Sequence, residues 1–186
     1  MQELKHCKAL IIDPTGFSKA LLRSLLINLG VHNVETASDS SEALLAMRKH
    51  TFTLIFCDEL VTPLNPFEFL KALRRDVETR DVTVPVVLVS SGLEFYRVAA
   101  ARDAGMNDVI VKPVSVETVE KKLRSLVLSP KHFVTTKAFI GPDRRRGGDR
   151  RQFGERTDAP ERRANRSETP VVHPVVPRLN LDERDP

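Results

Sequence analysis

Short apolar runs alternate with longer amphipathic stretches through the first 128 residues, the pattern of repeated βα units around a parallel sheet. Five candidate strands stand out: Ala9–Ile12, Val34–Ala37, Thr53–Cys57, Val84–Val89 and Val109–Val111. Most are unbroken apolar runs, as strands buried on both faces require. Helical signals follow each of them. Phe17, Leu21, Leu22, Leu25 and Leu29 recur at helical spacing, with Gly30 as the stop. Asp39-Ser40-Ser41-Glu42 opens a second helix as a capping box. Asn65-Pro66-Phe67-Glu68 repeats the device, with the proline at the first helical position, where its missing N–H is no loss. A fourth helix is expected from about Leu93 to Ala104, closed by Gly105, and a fifth after Ser115 with Val116, Val119, Leu123 and Leu126 on one face. Five units in about 120 residues predict an α/β fold with an open, doubly wound, flavodoxin-like sheet of five parallel strands in the order 2-1-3-4-5, since a closed barrel needs about eight.

The formal charge of +4 changes this picture only when it is divided along the chain. Residues 1–129 hold 16 Lys+Arg against 16 Asp+Glu, whereas residues 130–186 hold 13 against 9 and seven of the twelve prolines. The shift predicts a folded domain over residues 5–128 and a disordered Arg/Pro-rich tail over 129–186. Within the tail, acid followed by arginine recurs every six residues at Asp143-Arg144, Asp149-Arg150, Glu155-Arg156 and Glu161-Arg162, a spacing that keeps no single face of an α-helix. One reading is a solvated low-complexity segment. Another is a short docking element around Phe139-Ile140-Gly141-Pro142-Asp143-Arg144-Arg145-Arg146, where an apolar pair adjoins a basic cluster. Nucleic-acid binding is disfavoured by the interspersed acids and by the lack of Tyr or Trp in the tail for base stacking.

No apolar stretch approaches the roughly 20 residues that span a bilayer, so a cytoplasmic protein without membrane contact is expected. Cys7 and Cys57 read as small buried hydrophobes rather than as a disulfide or metal pair. His6, His32, His50, His132 and His173 show no pairing with a nucleophile or a metal cluster, and surface positions suit them.

Open parallel sheets place their functional crevice at the carboxyl ends of the strands. Here those positions read Asp13, Asp39 just past the second strand, Asp58, Ser90 and Lys112. In the order 2-1-3-4-5 the first and third strands are neighbours, so Asp13 and Asp58 face each other. Two adjacent carboxylates repel unless a cation intervenes, and a hard ion such as Mg²⁺ takes oxygen ligands while keeping waters and binding phosphate oxygens. Lys112 then stands where it can stabilise charge on a phosphoryl group, and Ser90 where its hydroxyl can donate to one of the oxygens. Taken singly, each is an ordinary strand-end residue; the joint placement carries the signal.

The runs Ala9-Leu10-Ile11-Ile12-Asp13, Leu54-Ile55-Phe56-Cys57-Asp58, Val84-Pro85-Val86-Val87-Leu88-Val89-Ser90-Ser91 and Lys112-Pro113 resemble the receiver domains of two-component systems, over about two-thirds of the chain. The resemblance implies a phosphoacceptor at Asp58, fed by a histidine kinase or phosphotransfer protein. It implies Mg²⁺ held by Asp13, Asp58 and the backbone carbonyl of Leu60, a switch in which Ser90 moves toward the phosphoryl group, and contact of Lys112 with that group across a cis Lys112–Pro113 bond. Output would pass to a downstream protein through surface contacts, with no enzymatic activity beyond self-catalysed phosphoryl transfer and dephosphorylation.

Three departures accompany the likeness. Pro14 stands where receivers carry a second acid, which predicts weak metal binding unless Glu59 or a water fills the gap. The loop Val61-Thr62-Pro63-Leu64-Asn65-Pro66 lacks the usual Met-Pro-x-Met-Asp-Gly run, and Val109 replaces the aromatic residue that commonly rotates on activation. A second reading is therefore a pseudo-receiver that is folded, not phosphorylated, and used as an interaction module. A third, a phosphohydrolase of the haloacid-dehalogenase type, finds only half of its Asp-x-Asp-x-Thr signature in Asp13-Pro14-Thr15.

Overall fold

The alternation of the sequence is realised, in a computed structural model, as five parallel strands interleaved with helices. Residues 4–76, 78–79, 81–92, 101, 104–128, 133–135, 140–142 and 171–173 are described. The elements in chain order are β1 (Lys8–Ile12), α1 (Gly16–Asn28), β2 (Asn33–Ala37), α2 (Ser40–Lys49), β3 (Leu54–Asp58), α3 (Pro66–Arg75), β4 (Val86–Ser90), β5 (Asp108–Val111) and α4 (Val116–Leu123). The last helix widens into a π-helical turn over Arg124–Leu128. Strand order is β2-β1-β3-β4-β5, the order expected from the unit count. The helix expected near Leu93–Ala104 lies largely outside the described residues; of that stretch Ala101 and Ala104 are helical, and Gly105 follows with a φ of 96°.

Because side chains alternate across a strand, each apolar run feeds two cores. Ala9, Ile11, Leu54, Phe56, Val87, Val89 and Ile110 face one side, beneath α1 and α4. Leu10, Ile12, Ile55, Cys57, Val86 and Leu88 face the other, beneath α2 and α3. The result is a helix–sheet–helix sandwich in which β3 and β4 are buried along their whole length.

Helix entry follows the chemistry of the caps. Asn65 accepts from the Phe67 and Glu68 N–H groups while the Glu68 carboxylate accepts from Asn65 N, a complete capping box. Asp39 caps α2 by accepting from Glu42 N, but Glu42 reaches one residue further back, to Ser38 N. On α1 the apolar stripe of the sequence is wider than the face that packs. Leu22, Leu26 and Leu29 are buried, whereas Phe17 is 78% and Leu21 43% exposed. Val116 is likewise exposed on α4, where Val119, Leu123 and Leu126 face the core.

Beyond residue 129, where a disordered tail is expected, the described residues include three short strands, β6 (Phe133–Thr135), β7 (Ile140–Pro142) and β8 (Val171–His173), which pair antiparallel in the order β7-β6-β8. Part of the candidate docking element thus pairs within the chain, with Gly141 and Pro142 buried in β7; Phe139 and residues 143–146 lie outside the described set. Phe133 is fully buried, and its ring lies 4.8 Å from the guanidinium carbon of Arg74 on α3. Arg74 is itself buried and donates to the carbonyls of Val82 and Val84. Burial lowers its pKa to about 9, with the charge of Asp81 acting in the opposite sense, so it keeps its proton at neutral pH. A buried guanidinium needs such partners, and an aromatic face supplies one where a carboxylate does not. Among the described residues no helix is long and apolar enough to cross a membrane.

The contact makes a direct prediction about the edge of the folded unit. Phe133→Ala should lower the free energy of unfolding by about 3 kcal/mol in a urea titration, as removal of a fully buried phenyl ring does. An unchanged midpoint and slope would place Phe133 outside the core.

Candidate functional site

Parallel pairing of β1 with β3 matches Ile12 with Cys57, so the next residue on each strand, Asp13 and Asp58, emerges side by side at the carboxyl edge. β4 adds Ser90, one residue beyond the Asp58–Val89 pair, and β5 delivers Lys112 just after the Ser90–Val111 pair. The backbone holds these ends in place: Asp13 N donates to Ala37 O, Glu59 N to Val89 O and Lys112 N to Ser90 O. Asp39 does not join the group, because its side chain is used as the α2 cap.

Asp13 is 5% and Asp58 2% exposed. One oxygen of each is occupied locally: Thr15 N donates to Asp13 Oδ1 at 2.7 Å and Leu60 N to Asp58 Oδ1 at 3.0 Å. The remaining Asp58 oxygen, Oδ2, lies 2.5 Å from Lys112 Nζ in an ion pair, yet accepts no properly aligned hydrogen bond. Burial raises the Asp13 carboxyl above its ordinary value; the Thr15 N–H opposes this, the charge of Asp58 adds to it, and Lys112 offsets part. Cys57 points to the opposite face, and burial together with the two nearby carboxylates pushes its thiol up. It therefore stays protonated and does not compete as a ligand.

One wall of the site is apolar. A pocket of about 210 Å³ reaches from Asp13, Asp58 and Lys112 to Phe17, Leu21, Leu22 and Val114, so the exposed Phe17 and Leu21 and the buried Leu22 all line it. The Lys112–Pro113 bond beside it is cis, as the resemblance implies, and Thr62–Pro63 is cis as well. The altered loop after Asp58 is tied to the start of α2: Ser40 N and Ser40 Oγ both donate to Thr62 O, and Leu64 N donates to Ser40 Oγ. Ser40 is fully buried and was not legible as a site-supporting residue, since its pattern suggested only a place in a helix cap.

Glu59 takes a position the sequence reading did not give it. Instead of reaching toward Asp13 to replace the acid missing at Pro14, its carboxylate accepts from Ser90 Oγ at 2.7 Å and Ser91 N at 2.5 Å. Among the described residues no group of three or more His, Cys, Asp or Glu is arranged to hold a metal ion. Two buried carboxylates with one oxygen short of hydrogen bonds still suit a hard cation that retains most of its waters.

Comparison with known proteins bears on the family and the fold. Residues 9–124 match the family described as response regulator receiver domain. The chemotaxis protein CheY-3 of Vibrio cholerae is 29% identical over 119 residues, covering 64% of this chain and 90% of the relative. The chemotaxis protein CheY of Pseudomonas aeruginosa is 25% identical over 119 residues, covering 64% and 94%. The solved structure of the chemotaxis response regulator CheY4 of Vibrio cholerae superposes with a TM-score of 0.58 at 27% identity, covering 64% of this chain and 98% of that one. With the strand order, the paired carboxylates and the strand-end lysine already in place, the match across most of the folded unit means that this chain belongs to the response regulator receiver domain family.

Proposed function

We propose that Asp58 is the phosphoacceptor of a phosphorelay and that the chain signals through protein contacts. The observation that carries this reading is the buried Asp13–Asp58 pair with Lys112 Nζ 2.5 Å from Asp58 Oδ2. A carboxylate oxygen of Asp58 attacks phosphorus, the bond from phosphorus to the donor's nitrogen or oxygen breaks, and its electron pair leaves with the donor. Asp58 needs no proton removed, so no general base is required, and the chain's work is placement and charge. Lys112 neutralises the acceptor before transfer and contacts the phosphoryl oxygens after it. Ser90 supplies a hydroxyl to the same oxygens. Receivers of this family bind Mg²⁺ at the phosphorylation site; here Asp13, Asp58 and the Leu60 carbonyl would hold it, and it would offset negative charge between the carboxylates and the phosphoryl group. CheY-like receivers interact with kinases and downstream effectors, and the same classes of partner are proposed for this chain, in a cytoplasmic setting.

A second reading, a pseudo-receiver used as a fixed interaction module, is favoured by Pro14, which removes a carboxylate from the metal side of the site. The two readings separate experimentally. Acetyl phosphate with Mg²⁺ should add one phosphoryl group by intact mass, and Asp58→Ala should abolish the gain. Absence of the adduct in the natural chain, with its appearance in Pro14→Asp, would establish the pseudo-receiver instead.

The raised Asp13 carboxyl yields a prediction about pH. Its proton is held more tightly in the folded chain than in the unfolded one, so folding stability falls as pH rises from the unfolded value through the raised folded value. At pH about 7 Asp13 carries a buried charge that an amide would not, while Asn keeps an oxygen for the Thr15 N–H. Without metal, Asp13→Asn should raise the melting temperature by roughly 2–4 °C, the shift that about 1 kcal/mol makes in a chain of this size, and the gain should vanish below pH about 4. A lower melting temperature at neutral pH would contradict the electrostatic account.

A further inference from the structure

Phosphoryl oxygens at Asp58 would be strong acceptors in a buried setting, and the hydroxyl at the end of the adjacent strand is that of Ser90, itself 2% exposed. That hydroxyl is already committed. Ser90 Oγ lies 2.7 Å from Glu59 Oε2, with the carbonyl of Gly92 further away at 3.1 Å. Its single hydrogen therefore goes to the carboxylate, the closer and charged acceptor. The other Glu59 oxygen accepts from Ser91 N at 2.5 Å, and Gly92 N donates back to Ser90 Oγ at 3.3 Å. One side chain thus clamps both the hydroxyl and the backbone of the turn that leaves β4. Glu59 is anchored in turn by its own N–H, which donates to Val89 O across the β3–β4 ladder.

Resting on the phosphoacceptor reading of Asp58, we infer that Glu59 is a positioning residue that latches the Ser90 hydroxyl and the Ser90–Gly92 turn away from Asp58, so that Glu59 and a phosphoryl group compete for the same donor. One hydroxyl hydrogen cannot serve both acceptors. Occupation of Asp58 by a phosphoryl group draws the hydroxyl across, releases the Ser91 N–H, and frees the turn to move. The latch sets how much of the free energy of phosphorylation goes into breaking an existing charge-assisted contact. The same geometry explains why the carboxylate beside the acceptor does not face the metal side: both of its oxygens are in use on β4.

The test uses the full chain with acetyl phosphate and Mg²⁺, in the natural form and as Glu59→Ala, Ser90→Ala and the double variant. In the natural unphosphorylated chain the Ser91 amide should exchange with solvent about tenfold more slowly than in Glu59→Ala, with the β3 and β4 core amides equally protected in both, the loss expected for one charge-assisted hydrogen bond. The ratio of phosphorylated to unphosphorylated protein at steady state should rise by about tenfold in Glu59→Ala. In the Ser90→Ala background the same change at Glu59 should give no rise, because there is no hydroxyl to release. A rise of equal size in that background would assign Glu59 to simple charge repulsion and overturn the latch. Equal Ser91 exchange and equal phosphorylation with and without Glu59 would overturn it as well. Phosphorylation that ignores Glu59 leaves the acceptor reading standing, whereas no phosphoryl group on any of the four chains overturns that reading and the competition built on it. Phosphorylation of Glu59→Ala alone would show the latch at its strongest.

Discussion

The site depends on one constraint, the in-register parallel pairing of β1 with β3 that brings two carboxylates to the same buried edge. Left alone, Asp13 and Asp58 would repel in a setting that solvates neither well. The sheet answers with a lysine delivered from the far side: β4 and β5 carry Lys112 to Asp58 Oδ2. Removing Lys112 would leave both carboxylates uncompensated, which ties the outer strands to the inner pair. The arrangement is strained electrostatically rather than sterically, and a group that spreads added negative charge while accepting from Lys112 and a hydroxyl fits it.

Around that edge the chain departs from a common receiver in ways that hang together. Pro14 removes an acid on the β1 side, and the loop after Asp58 is held through Ser40, whose hydroxyl and N–H both reach Thr62 O. Glu59 is turned to the end of β4 and engages Ser90 and Ser91. The proposed latch lies between β3 and β4, and at the position of β5 where receivers commonly carry an aromatic residue Val109 packs against the α2–α3 core. The far end of the sheet is closed by a different device, Arg74 between the Val82 and Val84 carbonyls and the Phe133 ring.

The inner strands β3 and β4 were legible because an apolar run buried on both faces has few alternatives, and the order followed from the number of βα units. Four of the five strand-end residues fell into one group because that order sets their strands side by side. Asp39 did not, since an aspartate that opens a helix is used by the backbone first. Helical spacing alone did not show how much of the α1 stripe packs: Phe17 and Leu21 share that spacing with Leu22, yet they are exposed while Leu22 is buried. The strands beyond residue 129 were hidden by their brevity: three residues such as Phe133–Thr135 show no period, and the contact of Phe133 with Arg74 is a tertiary one. The direction of the Glu59 side chain is a matter of rotamer and neighbour, which spacing does not encode.

The central claim is that the Asp13–Asp58–Lys112 edge receives a phosphoryl group at Asp58. Its most direct test is a titration of the isotope-labelled full chain with Mg²⁺ and then beryllium trifluoride, a tetrahedral mimic that binds a carboxylate oxygen, followed by amide NMR. Saturable changes centred on Asp13, Asp58, Ser90, Ser91 and Lys112 are expected, and they should disappear in Asp58→Asn. A spectrum that stays unchanged at these residues while the fold remains intact, or changes that persist in Asp58→Asn, would contradict it.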